Sequence, residues 1–333
     1  MTAVDSRLAT KQTAFEEIPL IDISALVDGS DAEGVARTIG KACEEVGFFY
    51  VKNHGIDQEL IDQMYRVTKD FFNLPLEVKQ RLNVANSGLT LRGYIPPFAE
   101  NADPKNTRDF KEAFDYGVDE KEVSPFFGPN LMPEELPEFR ETCDAYHDAM
   151  MGLARKLVSA FAISLDLPAN YFEDIQRHPI TIQRLLHYPP QELSASKDEV
   201  GIGAHTDYGF LTILNQDAVG GLQVRNSEGE WISAPPIEGA FVINIGDLVQ
   251  AMTHGRYSST VHRVVNTSGK ERYSIPFFID LDFHAPVETV PTCVTDENPA
   301  QTAPYTCGQY KYSRFVDVYP HLKGAEKGLE NNG

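Results

Sequence analysis

After Pro179 the chain breaks into short strand-like runs, and this pattern limits the fold more than any other feature. "TIQRLLHY", "HTDYGFLTILNQ", "GLQVRN", "WISAPP", "AFVINIG", "STVHRVVN" and "RYSIPFFID" follow one another, separated by turn-forming stretches such as "NSEGE", "THGR" and "NTSGK". Closely spaced strands punctuated by Gly, Asn and Ser predict a β-sandwich or barrel rather than a parallel α/β sheet.

The N-terminal half reads differently. "IPLIDIS" at 18–24 and "FFYVKN" at 48–53 are strand-like. Between them, Val35, Ile39, Ala42, Cys43 and Val46 recur at helical spacing, with Ser30 and Glu33 as a capping box and Gly47 as the stop. Asp57 is placed to cap a second helix carrying Leu60, Ile61, Met64, Val67 and Phe71. The Pro-, Gly- and Asn-rich stretch 84–135 reads mostly as loop, and a long helix is expected at about 137–165. A last helix is expected near 308–321, before a polar tail. The organisation is one integrated unit in three parts: a helical segment 1–175, a β core 176–284 and a C-terminal segment 285–333.

Charge narrows the partners. With 29 basic and 49 acidic side chains the chain carries a net charge of −20, which opposes a phosphate backbone and argues against nucleic acid. The four cysteines lie far apart and form no C-x-x-C pair, so neither a disulfide framework nor a zinc knuckle is expected, and a reducing cytoplasm is the expected compartment. No apolar stretch of signal-peptide or membrane-spanning length is visible.

His205 and Asp207 stand two apart in "HTDYG". On a strand, residues i and i+2 share a face, so both side chains can aim at one point, with Gly209 leaving room nearby. A later strand, "STVHRVV", offers His262 as a third ligand. Two imidazoles and one carboxylate on one side of a metal leave its other positions open, the arrangement suited to non-haem Fe(II). The competing reading of a lone H-x-D is a turn at a strand end, and no other histidine has an acid at i+2. A second motif strengthens the metal reading. In "RYSIPFF", Arg272 and Ser274 share a face, and a guanidinium beside a hydroxyl makes a carboxylate receptor.

Taken together, "HTDYGFLTILNQD", "GGLQV", "FVINIGD", "STVHRVV" and "RYSIPFF" resemble, in order and spacing, the 2-oxoglutarate- and Fe(II)-dependent oxygenases, in the isopenicillin N synthase-like branch. "GFFYVKNHGI", "RGY" and "DFKEAFDYG" extend the resemblance to roughly residues 18–320. It implies a mainly β fold with helices: a double-stranded β-helix, or jelly roll, with N-terminal helices packed on one sheet. It implies His205, Asp207 and His262 as catalytic Fe(II) ligands, and Arg272, Ser274 and Tyr188 on the distal carboxylate of 2-oxoglutarate. It further implies O2 as co-reactant and a small-molecule substrate hydroxylated with release of succinate and CO2. Metal, Asp207 and the cosubstrate dianion leave one negative charge over, which Arg272 offsets. The alternatives are an isopenicillin N synthase-like Fe(II) oxidase that does not use 2-oxoglutarate, and an ethylene-forming or desaturating variant.

Substrate contacts are expected from four residues. Arg184, Leu186 and Tyr188 share a face that should look into the barrel, and Arg184 then needs a partner: a substrate carboxylate or carbonyl, or an internal ion pair. Phe278 falls on the face of Ser274, as a stacking surface or a plain core aromatic. Arg92 and Tyr94 lie in the loop-rich stretch, as part of a lid or as braces for the N-terminal segment.

Overall fold

The computed structural model describes residues 18–103, 105–191 and 199–319. Its frame is an eight-stranded sheet facing a four-stranded one. In order, the large sheet runs Leu20–Asp22, Phe48–Lys52, Ala240–Ile245, Leu211–Gln216, Arg272–Asp282, Pro179–Tyr188, Glu112–Tyr116 and Gly93–Ile95. The small sheet runs Trp231–Ser233, Leu222–Arg225, His262–Val264 and Ile202–His205. Four central strands of the large sheet and the four of the small sheet form the jelly roll. Strands from the N-terminal part extend the large sheet at both edges.

Alternation on these strands separates two environments. On Arg272–Asp282, the residues Arg272, Ser274, Pro276 and Phe278 line the space between the sheets. Tyr273, Ile275, Phe277 and Ile279 are buried on the other face, where helices cover them. The long helix Pro137–Ser164 packs there, and Phe139, Cys143, Tyr146, Met150, Leu153, Leu157 and Phe161 are its buried stripe, as the spacing predicts. His147 on the same helix bonds Thr181 Oγ1 at 3.0 Å and meets the Phe277 ring edge-on.

Several local expectations shift. Asp31, not Ser30, caps the helix Ala32–Glu45, accepting from the Gly34 amide at 2.8 Å. Adjacent capping residues make the boundary ambiguous by one position. Asp57 caps Gln58–Phe72 as expected, accepting from the Glu59 amide. The stretch 84–135 holds three strands, Gly93–Ile95, Arg108–Asp109 and Glu112–Tyr116, where mostly loop was expected. They are short, and their charged residues disguise burial. All five residues of Glu112–Tyr116 are buried because distant cations and hydroxyls meet their carboxylates. The last helix is Cys307–Val318, begun by a Thr306–Gln309 capping box. The helix was expected to reach 321 but ends at Val318, Tyr319 being already extended; residues from 320 on, with the polar tail, lie outside the described residues. Among the described residues, no helix is long and apolar enough to cross a membrane.

Candidate metal centre

His205 ends its strand, and His262 begins the antiparallel neighbour directly opposite it. Their rings lie 4.3 Å apart between centroids. Asp207 is not on the strand at all. It stands in the turn beyond it, so backbone bonds rather than strand alternation aim it. Its carbonyl accepts from the Asp247 amide at 2.8 Å, and the Gly209 carbonyl accepts from Leu248 at 3.1 Å. Gly209 lines the pocket beside the three ligands, and it has a second role. A Cβ there would fall 1.8 Å from Asp280 Oδ1, so the glycine accommodates the buried Asp280 carboxylate.

Ligand atoms of His205, Asp207 and His262 all lie within 4.8 Å of one another. Each Nε2 faces Asp207 Oδ1, at 3.8 Å from His205 and 3.7 Å from His262, beyond hydrogen-bond reach. Each Nδ1 sits against a backbone carbonyl, Gly203 at 2.8 Å and Thr260 at 3.1 Å. Those carbonyls accept from Nδ1–H, which leaves the Nε2 lone pairs turned toward the carboxylate. Asp207 spends its other oxygen, Oδ2, on two donors, Asn244 Nδ2 at 2.7 Å and Thr212 Oγ1. Oδ1 is thereby left for a cation. Burial, reinforced by His205, pushes His262 down to about 4, so it is neutral at physiological pH. Burial alone would raise Asp207, but His262, His205 and the two donors outweigh it and hold the carboxyl below its usual range. A neutral His262 and an ionised Asp207 are protonation states a divalent cation requires, and a donor set of two imidazoles and one carboxylate fits Fe(II).

The centre opens into a pocket enclosing roughly 1140 Å³ of empty space, its mouth included. Arg272 and Ser274 line one end. Arg272 is fully buried; its Nε donates to the Gly220 carbonyl and its Nη1 reaches Ser274 Oγ at 3.3 Å. Tyr188, paired with Arg272 across the strands, lays its ring 4.6 Å from the guanidinium carbon. Phe278 also lines the pocket.

The other candidate substrate residues go elsewhere. Arg184 does face the pocket, but its guanidinium grips Asp115 through Nε and Nη2, both at 2.7 Å. It also grips Glu100, from Nη1 at 2.8 Å and Nη2 at 3.1 Å. The internal ion pair is therefore what it makes. Arg92 and Tyr94 are not among the pocket-lining residues. Arg92 is buried and donates to the carbonyls of Val118, Phe126 and Gly128 and to Asn130, bracing that loop. Tyr94 donates to Glu112 Oε2 at 2.7 Å, on the helix side of the sheet. Sequence reasoning missed Thr212 and Asn244. The available signal was Asn244, a polar residue inside the apolar run "AFVINIG".

A jelly roll with two histidines and one carboxylate converging inside it defines a mononuclear non-haem metal enzyme. Comparison with known proteins specifies it further. Residues 18–135 match the family described as non-haem dioxygenase in morphine synthesis N-terminal, and residues 179–281 match the 2OG-Fe(II) oxygenase superfamily. A homoarginine-6-hydroxylase of Glycine max is 38% identical, over 86% of this chain and 92% of its own. A 1-aminocyclopropane-1-carboxylate oxidase of Dictyostelium discoideum is 38% identical, over 83% and 85%. The crystal structure of a full-length Neurospora crassa protein in complex with α-ketoglutarate and thymine superposes with a TM-score of 0.82 at 30% identity, covering 92% of this chain and 99% of that one. The chain belongs to the 2-oxoglutarate/Fe(II) oxygenase superfamily. It is an Fe(II)- and 2-oxoglutarate-dependent dioxygenase of small molecules, with hydroxylation as its general chemistry.

Proposed function

We propose that His205, Asp207 and His262 hold the Fe(II), and that Arg272 and Ser274 receive the distal carboxylate of 2-oxoglutarate. The substrate then lies against Ile182, Leu186, Phe278, Phe315 and Val318. The convergence of three ligand atoms within 4.8 Å carries this reading. Bound together, iron and 2-oxoglutarate would put O2 to use, one oxygen atom ending in succinate as CO2 is lost and the other in the oxidised C–H bond of the substrate.

The chain's own residues do the positioning. Thr212 and Asn244 fix the Asp207 carboxylate, and the Gly203 and Thr260 carbonyls fix the imidazoles. The Arg272 fork and the Ser274 hydroxyl orient a dicarboxylate by one end, while the apolar wall excludes water. Arg184 supports a carbonyl rather than a carboxylate on the substrate. Its charge is offset by Asp115 and Glu100, yet among the described residues one Nη1–H has no acceptor. Four free, buried cysteines support a reducing, cytoplasmic setting.

Succinate formation during turnover tests the assignment. Arg272→Met is expected to raise KM for 2-oxoglutarate by about 100-fold, the scale of a lost buried charge-assisted contact. Turnover with unchanged KM in that variant, or oxidation without any succinate, would reject it.

A further inference from the structure

Arg272 is fully buried, yet among the described residues no acidic side chain pairs with it. Its guanidinium meets neutral groups only: the Gly220 carbonyl, Ser274 Oγ at 3.3 Å, Gln216 Oε1 at 3.4 Å and the Tyr188 ring. A buried cation without an anion is costly, so its neutral surroundings need a reason. Asp217 directly follows Gln216 and would serve as a counter-charge. Both its oxygens are instead taken by backbone amides, Oδ2 by Tyr273 at 2.6 Å and Oδ1 by Val219 at 2.9 Å.

Gln216 is well placed to control that charge. It pairs with Ser274 across the strands, which sets its side chain beside the guanidinium. Its Nε2 donates to the Ala234 carbonyl at 3.2 Å, which turns Oε1 toward Arg272 Nη2. A glutamate has nearly the same shape and would place a carboxylate at that point, giving up the donor to Ala234.

We propose that Gln216 is a positioning residue that sets affinity for the cosubstrate. It orients the Arg272 fork through a neutral acceptor and leaves the full positive charge for the incoming distal carboxylate. This rests on the reading that Arg272 receives that carboxylate, and the experiment separates the two.

The experiment compares Gln216→Glu, Gln216→Met and Arg272→Met with the wild-type chain. It titrates 2-oxoglutarate calorimetrically into iron-loaded protein without oxygen, measures KM and kcat by succinate release, and melts the metal-free proteins. Gln216→Glu supplies the missing anion. It is expected to raise Kd and KM for 2-oxoglutarate about tenfold or more, to leave kcat at saturation within about twofold, and to raise the metal-free melting temperature. Gln216→Met removes the orienting acceptor, together with the donor to Ala234, without adding a charge, and a rise of about threefold is expected. A purely packing role would instead make Gln216→Glu lower the melting temperature and reduce kcat without moving KM. Wild-type Kd in Gln216→Glu, with binding lost in Arg272→Met, overturns the proposal and leaves the Arg272 assignment standing. Wild-type Kd in Arg272→Met removes that assignment, and the proposal with it.

Discussion

Asn244 donates a 2.7 Å hydrogen bond to Asp207 Oδ2 from the strand position directly opposite Thr212, which donates to the same oxygen. The carboxylate is thus held by one oxygen and presents the other to the metal. Partners of this kind tune affinity without touching the ion. Asn244→Leu is expected to weaken Fe(II) binding by about 10- to 100-fold. Adding Thr212→Val should weaken it further. Anaerobic metal titration measures both, and unchanged affinity in the double variant would show that Asp207 is aimed by its backbone alone.

Arg184 predicts a stability effect more than a chemical one. Asp115 is 1% exposed and Glu100 is held by Arg184, Lys111 and Tyr319 together. Arg184→Met leaves buried carboxylates short of a partner and is expected to cost about 3–5 kcal/mol in denaturant unfolding. Pairing it with Asp115→Leu should recover part of that loss. A cost below about 1 kcal/mol would mean that the cluster is hydrated and contributes little.

His147 makes stability depend on pH in a defined direction. Burial pushes it from 6.5 down to about 4, and it stays neutral against Thr181. The unfolded chain therefore binds a proton that the folded chain refuses between these values. The stability from this site is complete above pH 6.5 and is lost as pH falls to about 4, by roughly 3 kcal/mol in all. His147→Gln keeps a side-chain partner for Thr181 and removes the titration. Denaturant unfolding across that window should show a correspondingly shallower slope, and an unaltered slope would assign the acid sensitivity to other groups.

Strand alternation made much of this molecule legible in advance. It put Arg272, Ser274 and Phe278 on one face and Arg184, Leu186 and Tyr188 on another, and all six line the pocket. It failed where side chains are placed by turns or by distant partners. Asp207 lies past its strand, in a segment 207–210 held by the amides of 246–248 that no local pattern discloses. Arg184 finds Asp115 and Glu100, 69 and 84 positions away, inside a stretch whose polar composition imitates a loop. Arg92 sits in the same stretch and spends its donors on backbone carbonyls, which carry no side-chain signature in a sequence.

Iron binding to the His262→Ala protein is the most direct measurement. The wild-type chain should take up a single Fe(II) without oxygen, and the variant should bind it at least about 100-fold more weakly, since one of three ligands is gone. Full-affinity binding in His262→Ala would contradict a shared ion between His262, His205 and Asp207.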